Sequence, residues 1–314
     1  MRFCMLSGLA GLTLFGLAGC TTSPSWSHEA TIDMVRVLSA DDMAGRGTGT
    51  PGAAAARAVI AERMGEIGLA SFDSGYEQAF TTTYQGETYT GVNLVGHLNG
   101  RSDSALTLVV TAHYDHLGLI DGEIYNGADD NASGVAGLLA VAEHFANVQP
   151  LHDMVFVALD REEVGHGGAS SFVTNPPEAM GPIAMNLNLD MLSRGDNGRL
   201  WAAGAGHRPY LAPLLADVAA RAPVSLNMGF DGSVEGQDDW TLLSDHAAFH
   251  KAGIAFVYLG VEDHPDYHQP SDDFEKIDTD WYLKAVETAI MVAEAADAQL
   301  DTLAAQSETS LADN

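Results

Sequence analysis

Three apolar runs constrain this chain most: ALTLVVTA (105–112), MVFVAL (154–159) and IAFVYLG (254–260). Each is short, unbroken and rich in β-branched or aromatic residues, as in strands buried on both faces. A fourth run, AMNLNLDM (184–191), alternates apolar and polar residues with period two. Between them lie segments with helical spacing: AAAARAVIAERMGEIGL, SGVAGLLAVAEHFA, HRPYLAPLLADVAARA and DWYLKAVETAIMVAEAADAQL. In the second of these, Val135, Leu138, Leu139 and Ala142 fall on one helix face. Strands alternating with helices predict an α/β fold, a mixed, mostly parallel central sheet sandwiched between helices. The chain shows no repeat, linker or low-complexity stretch, which predicts a single domain over residues 31–302. Residues 20–30 read as a polar tether and 303–314 (LAAQSETSLADN) as a flexible tail.

In open α/β sheets, ligands bind beyond the carboxyl ends of the strands. That rule gives meaning to the residues just past each run. After TLVVTA come His113, Tyr114, Asp115 and His116; after MVFVAL come Asp160, Arg161, Glu162 and Glu163. The strand MNLNL ends in Asp190, and past IAFVYLG the chain reaches HPDYHQPSDD, with His268. A fifth group, NGADDNASG (126–134), sets Asp129 and Asp130 side by side in a glycine-flanked turn. A solvated turn needs only one Asp or Asn, so a second carboxylate calls for a positive partner. Each group alone reads as a cap or a loop residue; five of them, four beyond strand ends, read as a cation site. Two histidines and several carboxylates without cysteine suit zinc in a catalytic setting. Two metals sharing a site need a bridging carboxylate, which one Asp of the turn supplies while the other, or Asn131, stiffens the turn and caps the next helix. Asp115, two residues past His113, is placed to accept the other ring N–H and fix the tautomer. GRGTGTPG (45–52) is glycine-rich but lacks the Lys-Ser/Thr of a phosphate loop.

The formal net charge is −29, from 43 acidic and 14 basic residues. Such a surface repels phosphate backbones, so a nucleic-acid partner is not expected. The start, MRFCMLSGLAGLTLFGLAGC, has one Arg, an apolar run too short for a membrane span and small residues before a cysteine. LAGC resembles the lipobox of bacterial lipoproteins. That resemblance implies a signal peptide over 1–19, a lipidated Cys20 and an exported protein held by its lipid anchor to a membrane. Thr21-Thr22-Ser23 lacks the Asp of inner-membrane retention and favours the outer membrane, facing the periplasm or cell surface. Cys4 and Cys20 are the chain's 2 cysteines, so the mature chain keeps no thiol pair for a disulfide.

TAHYDHLG, NGADDNASG, DREEVG, NLDM, SDHAAFHKAGI and DYHQPSDD, in that order, resemble the secreted co-catalytic di-zinc aminopeptidases. That group includes bacterial leucyl-type aminopeptidases and relatives such as glutaminyl cyclases and glutamate carboxypeptidases. The resemblance runs from GRGTGTPG to the last helix. It implies two zinc ions per chain, with His113, Asp129 and Asp190 on one and Asp129, Glu163 and His268 on the other. Asp129 would bridge them and Glu162 would be the general base. It implies a metal-dependent exopeptidase that removes N-terminal residues from peptides with a free N-terminus. A carboxypeptidase or amidohydrolase on the same core is the alternative, with Arg194 as the clamp for a terminal carboxylate and Arg161 turned away from the cleft. A receptor-like protein that kept the fold and lost catalysis is the third reading; the complete ligand set and Glu162 argue against it. The two-metal set fits hydrolysis better than glutaminyl cyclisation. Some members carry a tyrosine that binds the transition state where this chain has Thr241. His144, His152, His207, His250 and His264 are set aside, whereas His116, His166 and His246 lie near the motifs.

Overall fold

A computed structural model describes residues 25–312 of the chain. The apolar run 1–19 and Cys20 lie outside the described residues. Among the described residues, no helix is long and apolar enough to cross a membrane.

The chain opens with α1 (His28–Leu38) and α2 (Pro51–Ile67), then the hairpin β1 (Glu77–Tyr84) and β2 (Glu87–Leu98). Next come β3 (Thr107–His113), the small hairpin β4 (Gly118–Ile120) and β5 (Glu123–Tyr125), and α3 (Gly134–Val148). β6 (Asp153–Leu159), α4 (Gly167–Thr174), β7 (Ile183–Leu189) and β8 (Arg199–Ala203) come after these. The last part holds α5 (Ala212–Ala219), β9 (Ser225–Met228), α6 (His246–Lys251), β10 (Ala255–Gly260) and α7 (Thr279–Ala312).

Eight strands form one sheet in the order β1-β2-β6-β3-β7-β10-β8-β9. The four central strands β6, β3, β7 and β10 are parallel, and they contain the four strand runs of the sequence. The hairpin β1–β2 joins one side antiparallel, and β8 pairs antiparallel with β10 on the other. Alternating residues of each central strand enter two apolar layers. Leu108, Val110 and Ala112 pack with α1, α2, α3, α5 and α7, while Val109, Val155 and Val157 pack with Phe172 of α4 and Phe249 of α6. The sheet is thus sandwiched between helices, as expected.

The period-two strand has a different meaning from the others. In β7 both alternating sets are buried, and the polar set is bonded internally. Asn186 donates to Thr111 Oγ1 (2.9 Å) and Asn188 to Ser244 Oγ (2.9 Å). Helix α2 begins as its sequence dictates: Thr50 accepts from the Ala53 N–H, Pro51 sits in the first turn, and Gly68 ends the helix at φ 87°.

Both ends of the domain are more ordered than expected. Trp26 is buried and Ser27 caps α1 by accepting from the Ala30 N–H, so residues 25–30 pack rather than tether. At the other end, α7 continues through Ala312, and Leu300 and Leu303 are buried in the main core. Residues 303–312 are rich in Ala, Gln, Glu and Leu, good helix formers, and extend the helix rather than form a tail.

Candidate metal centre

The carboxyl ends of the parallel strands bring the polar groups together. His113 closes β3, Asp190 lies just past β7, and Glu162 and Glu163 lie just past β6. Asp130 lies in the turn before α3, and His268 in the loop beyond β10. His113 Nε2 is 3.2 Å from Asp190 Oδ1 and 3.3 Å from Asp130 Oδ1. His268 Nε2 is 3.0 Å from Asp130 Oδ2 and 3.2 Å from Glu163 Oε2. The two oxygens of Asp130 therefore face two different donor sets. Ligand atoms of His113, Asp130 and Asp190 lie within 4.8 Å of one another, as do those of His116, Asp130 and Glu163.

Asp130, not Asp129, is the carboxylate between the two sets, which corrects the expectation from sequence. Asp129 is fully buried and turned the other way. Its Oδ1 accepts from the Ser193 N–H (2.7 Å), the Ser193 hydroxyl (2.7 Å) and the Ser133 hydroxyl (3.2 Å). Its Oδ2 faces His264 Nε2 at 3.1 Å. Behind the turn, Asp272 accepts the main-chain N–H groups of Asp129 and Asp130, at 3.1 and 3.0 Å. Asn131 does the capping: Oδ1 accepts from Gly134 N (2.9 Å) and Met191 N (3.1 Å), while Nδ2 donates to Leu189 O. A Cβ on Gly134 would stand 2.2 Å from that Oδ1 and 2.4 Å from Leu189 O, so this close approach requires glycine.

Asp115 acts differently from expectation. Its carboxylate Oδ1 accepts from the Glu162 N–H (3.0 Å) and stands 3.8 Å from His113 Nδ1, beyond hydrogen-bond range. The acceptor for His113 Nδ1 is the Asp115 main-chain carbonyl at 3.1 Å. A ring that donates there turns its Nε2 lone pair toward Asp130 and Asp190. Asp115 thereby fixes His113 through its backbone and Glu162 through its side chain.

Beneath the turn, Arg46 of GRGTGTPG is completely buried. Its guanidinium donates to the carbonyls of Tyr114, Leu38, Asn126 and Gly127. The glycine-rich loop thus anchors the segments that carry His113 and Asp130.

Arg161 has φ +64° in the left-handed region, so the chain turns sharply between β6 and Glu162. That turn sends the neighbours apart: Glu163 reaches His116 and His268, while Glu162 Oε1 lies 3.2 Å from His166 Nε2. Arg161 itself lines a cleft of about 640 Å³ that also borders Asp115, His116 and Glu163. It is not turned away, as the sequence suggested. Arg194, the expected clamp, is engaged elsewhere: Nη2 meets Asp196 (2.8 Å) and Nη1 meets Asp266 (2.7 Å).

Of two further members of the site, sequence reasoning placed His116 near the motifs without giving it a role and passed over Tyr267. His116 Nδ1 stands 2.6 Å from Glu163 Oε1, and its buried Nε2 has no partner. The ring of Tyr267 stacks on His268 with centroids 4.0 Å apart. The one signal for both was adjacency to a motif residue. Thr241 is buried and bonded to His207 (2.7 Å) and to Asp239, so its hydroxyl is committed.

Electrostatics report the same crowding. Burial alone would lower the His268 pKa, but hydrogen bonds to Asp130 and Glu163 outweigh it and raise the ring to about 10. His113 is likewise raised despite burial, by Asp190 and Glu162. Burial would raise Asp130, yet His116, His113 and His268 together hold it well below the carboxylate range. Burial pushes Glu162 well above that range, with Asp190, Glu163 and Asp130 adding to it against His113. Four carboxylates face four imidazoles, and burial lowers the proton affinity of one of these, His166; divalent zinc satisfies this donor set and imidazolium protons only partly neutralise it. The residues present therefore fit zinc.

Residues 93–293, more than half of the chain, match the family described as peptidase family M28. Aminopeptidase YwaD of Bacillus subtilis is 29% identical over 204 residues, 60% of this chain and 41% of that protein. A vacuolar membrane protease of Clavispora lusitaniae is 33% identical over 131 residues, 41% of this chain and 12% of that protein. The chain thus spans less than half the length of these curated relatives. Among solved structures, a leucine aminopeptidase precursor from Bacteroides thetaiotaomicron superposes with TM-score 0.69 at 20% identity, covering 87% of this chain and 98% of that one. The zinc aminopeptidase BSAP from Bacillus subtilis gives 0.70 at 17% identity, covering 87% and 96%. Porphyromonas gingivalis glutaminyl cyclase gives 0.69 at 18% identity, covering 86% and 99%. These likenesses establish a shared fold, and the family match extends the resemblance read from the motifs: the chain belongs to peptidase family M28.

Proposed function

We propose that this chain is a zinc-dependent aminopeptidase, hydrolysing the first peptide bond of substrates with a free N-terminus. The observation that carries the reading is Asp130, whose two oxygens face two separate donor sets. His113, Asp130 and Asp190 would hold one zinc, and Asp130, Glu163 and His268 the other. When bound, the two ions supply Lewis-acid polarisation and a positive charge that offsets the carboxylates.

The chain's own residues do the rest. Glu162 has a raised proton affinity, which suits a group that takes a proton from the attacking water and returns it to the leaving amine. Asp115 holds the Glu162 main chain, and so helps to position the base. Burial, then the nearby Asp130, Asp190 and Glu163, keep the Tyr267 phenol protonated. A phenol beside His268 is a donor suited to charge developing on the carbonyl oxygen, in the role that Thr241 does not fill.

A panel of aminoacyl anilides and dipeptides, assayed with zinc and with chelator, tests this. Free N-termini should be cleaved, chelation should abolish turnover, and N-acetylation should do the same. Equal cleavage of acetylated peptides would sink the aminopeptidase reading in favour of a carboxypeptidase or amidohydrolase.

The N-terminal motif supports an exported, lipid-anchored protein, acylated at Cys20 and facing the periplasm or cell surface. Cys20→Ser should release soluble protein or leave an unprocessed precursor. Unchanged membrane fractionation, with no lipid label on the wild type, overturns this.

A further inference from the structure

Two arginines are buried among the described residues, Arg46 and Arg161. Arg46 has its carbonyl partners; two of the three Arg161 nitrogens have none. Arg161 is 3% exposed, yet Nε and Nη2 are buried without a hydrogen-bond partner. No carboxylate lies within ion-pair distance of it among the described residues. Its one specific contact is with the face of Tyr89, 3.5 Å from the guanidinium carbon to the ring centroid. Stacking satisfies the flat face of a guanidinium and leaves its donor edge unsatisfied.

The fold holds this side chain in place at some strain. Its backbone sits at φ +64°, with its carbonyl accepting from Gly167 N at 2.9 Å. A Cβ on Gly167 would approach the Arg161 Cδ to 3.0 Å, so the glycine leaves room for the stem. Arg161 borders the same cleft as His116 and Glu163, with Leu117, Leu119 and Val164 as apolar walls. A desolvated cation with free donors, in a cleft beside the hydrolytic centre, lacks an anionic partner that the chain itself does not provide.

We propose that Arg161 binds a carboxylate of the substrate, so that the enzyme prefers short peptides carrying a free carboxylate close to the scissile bond. The planar fork of arginine matches a carboxylate with two parallel hydrogen bonds. The carboxylate comes from one of two sources: the C-terminal α-carboxylate of a di- or tripeptide, or an Asp or Glu side chain next to the cleaved residue. This inference rests on the aminopeptidase reading and deepens it, since it names the substrate class that the same cleft selects.

Matched substrate pairs test it on the full, zinc-loaded protein. One pair is a neutral dipeptide as free acid and as amide; the other is an amidated tripeptide with Glu or Gln in second position. In the wild type, kcat/KM for the carboxylate member of one pair should exceed its partner by about 10- to 100-fold, and the pair that shows it identifies the source. In Arg161→Met that ratio should fall to within about 3-fold of unity, and in Arg161→Lys it should be intermediate, because the fork is lost but the charge kept. Calorimetric binding of the same acid and amide to Glu162→Gln, with and without Arg161→Met, should show the same difference without turnover. Wild-type ratios near one, ratios unchanged in Arg161→Met, or an equal loss for every substrate would overturn the proposal; the last result makes Arg161 a brace for β2. Cleavage of no peptide at all removes the aminopeptidase reading, and calorimetry then still decides whether Arg161 discriminates acid from amide.

Discussion

The frame behind the site and the cleft in front of it treat buried charge in opposite ways. In the frame, Arg46 meets four main-chain carbonyls, Asp129 accepts from two serines, and Asp272 accepts two main-chain N–H groups. In the cleft, Asp130, Glu162, Glu163 and Asp190 crowd around imidazoles, and two Arg161 nitrogens have no acceptor. A buried polar group satisfied by the chain is a structural member, because losing either partner exposes the other to the cost of desolvation. A buried polar group whose need is unmet, or met only by crowded like charges, points to something that binds there. Asp129 and Asp130 are neighbours in sequence and fall on opposite sides of this division.

The largest expected effect separates that pair. Asp130→Asn should lose bound zinc and at least about 10³-fold in activity, as expected when both ions lose a shared anionic ligand. Asp129→Asn should lower stability while keeping the metal, since Asp129 bonds serines and His264 rather than the donor sets. Metal analysis of the two purified variants decides; the reverse pattern breaks the division.

The next effect lies within the cleft. Glu162→Gln should keep both metals and the fold but lose about 10²-fold or more in kcat. Glu163→Gln should instead lower metal occupancy. Metal content together with kcat for both variants checks the assignment, and full activity in Glu162→Gln would remove it.

The two arginines give a contrast in stability alone. Arg46→Met removes the guanidinium that donates to four buried carbonyls and should cost about 3–5 kcal/mol in denaturant unfolding. Arg161→Met removes a desolvated cation with two unpartnered nitrogens and should be near neutral or slightly stabilising. Equal losses would show that Arg161 belongs to the frame.

The smallest effect is pH-dependent. Asp245 is fully buried, neither oxygen has a partner, and burial, then the nearby Glu162, raise its pKa from 3.8 to about 8. The folded state therefore holds a proton that the unfolded chain releases, and stability falls as pH rises from about 4 to about 8. Asp245→Asn removes that slope. Thermal melts of the metal-free protein should show the variant more stable at pH 8, by roughly 2 kcal/mol, and no different at pH 4. A variant equally or less stable at pH 8 would mean that Asp245 has a partner in solution.

Much of this was legible in the sequence. Continuous β-branched runs specify strands buried on both faces, and their carboxyl ends locate the site because parallel sheets gather those ends on one edge. His113, Glu162, Glu163, Asp190 and His268 were marked by that logic and by the motifs. Helix α2 was marked by its helical spacing, and the structure bounds it with Thr50 and Pro51 at its start and Gly68 at its end. What the sequence left open lay where side-chain direction depends on distant contacts. Asp129 and Asp130 differ by a single residue in their spacing from every landmark; Ser193, some sixty residues on, and Asp272, farther still, orient the turn and choose between them. Asp115 was placed beside His113 correctly, but the trade between its carbonyl and its carboxylate came from the approach of the Glu162 N–H. Arg161 points into the cleft because of a left-handed turn that no local propensity of arginine favours. Residues 303–312 combine good helix formers with Leu303, which reaches the main core, a contact that composition does not reveal. Local pattern determined the elements and the candidates; long-range packing at irregular turns determined which atom of each candidate faces the site.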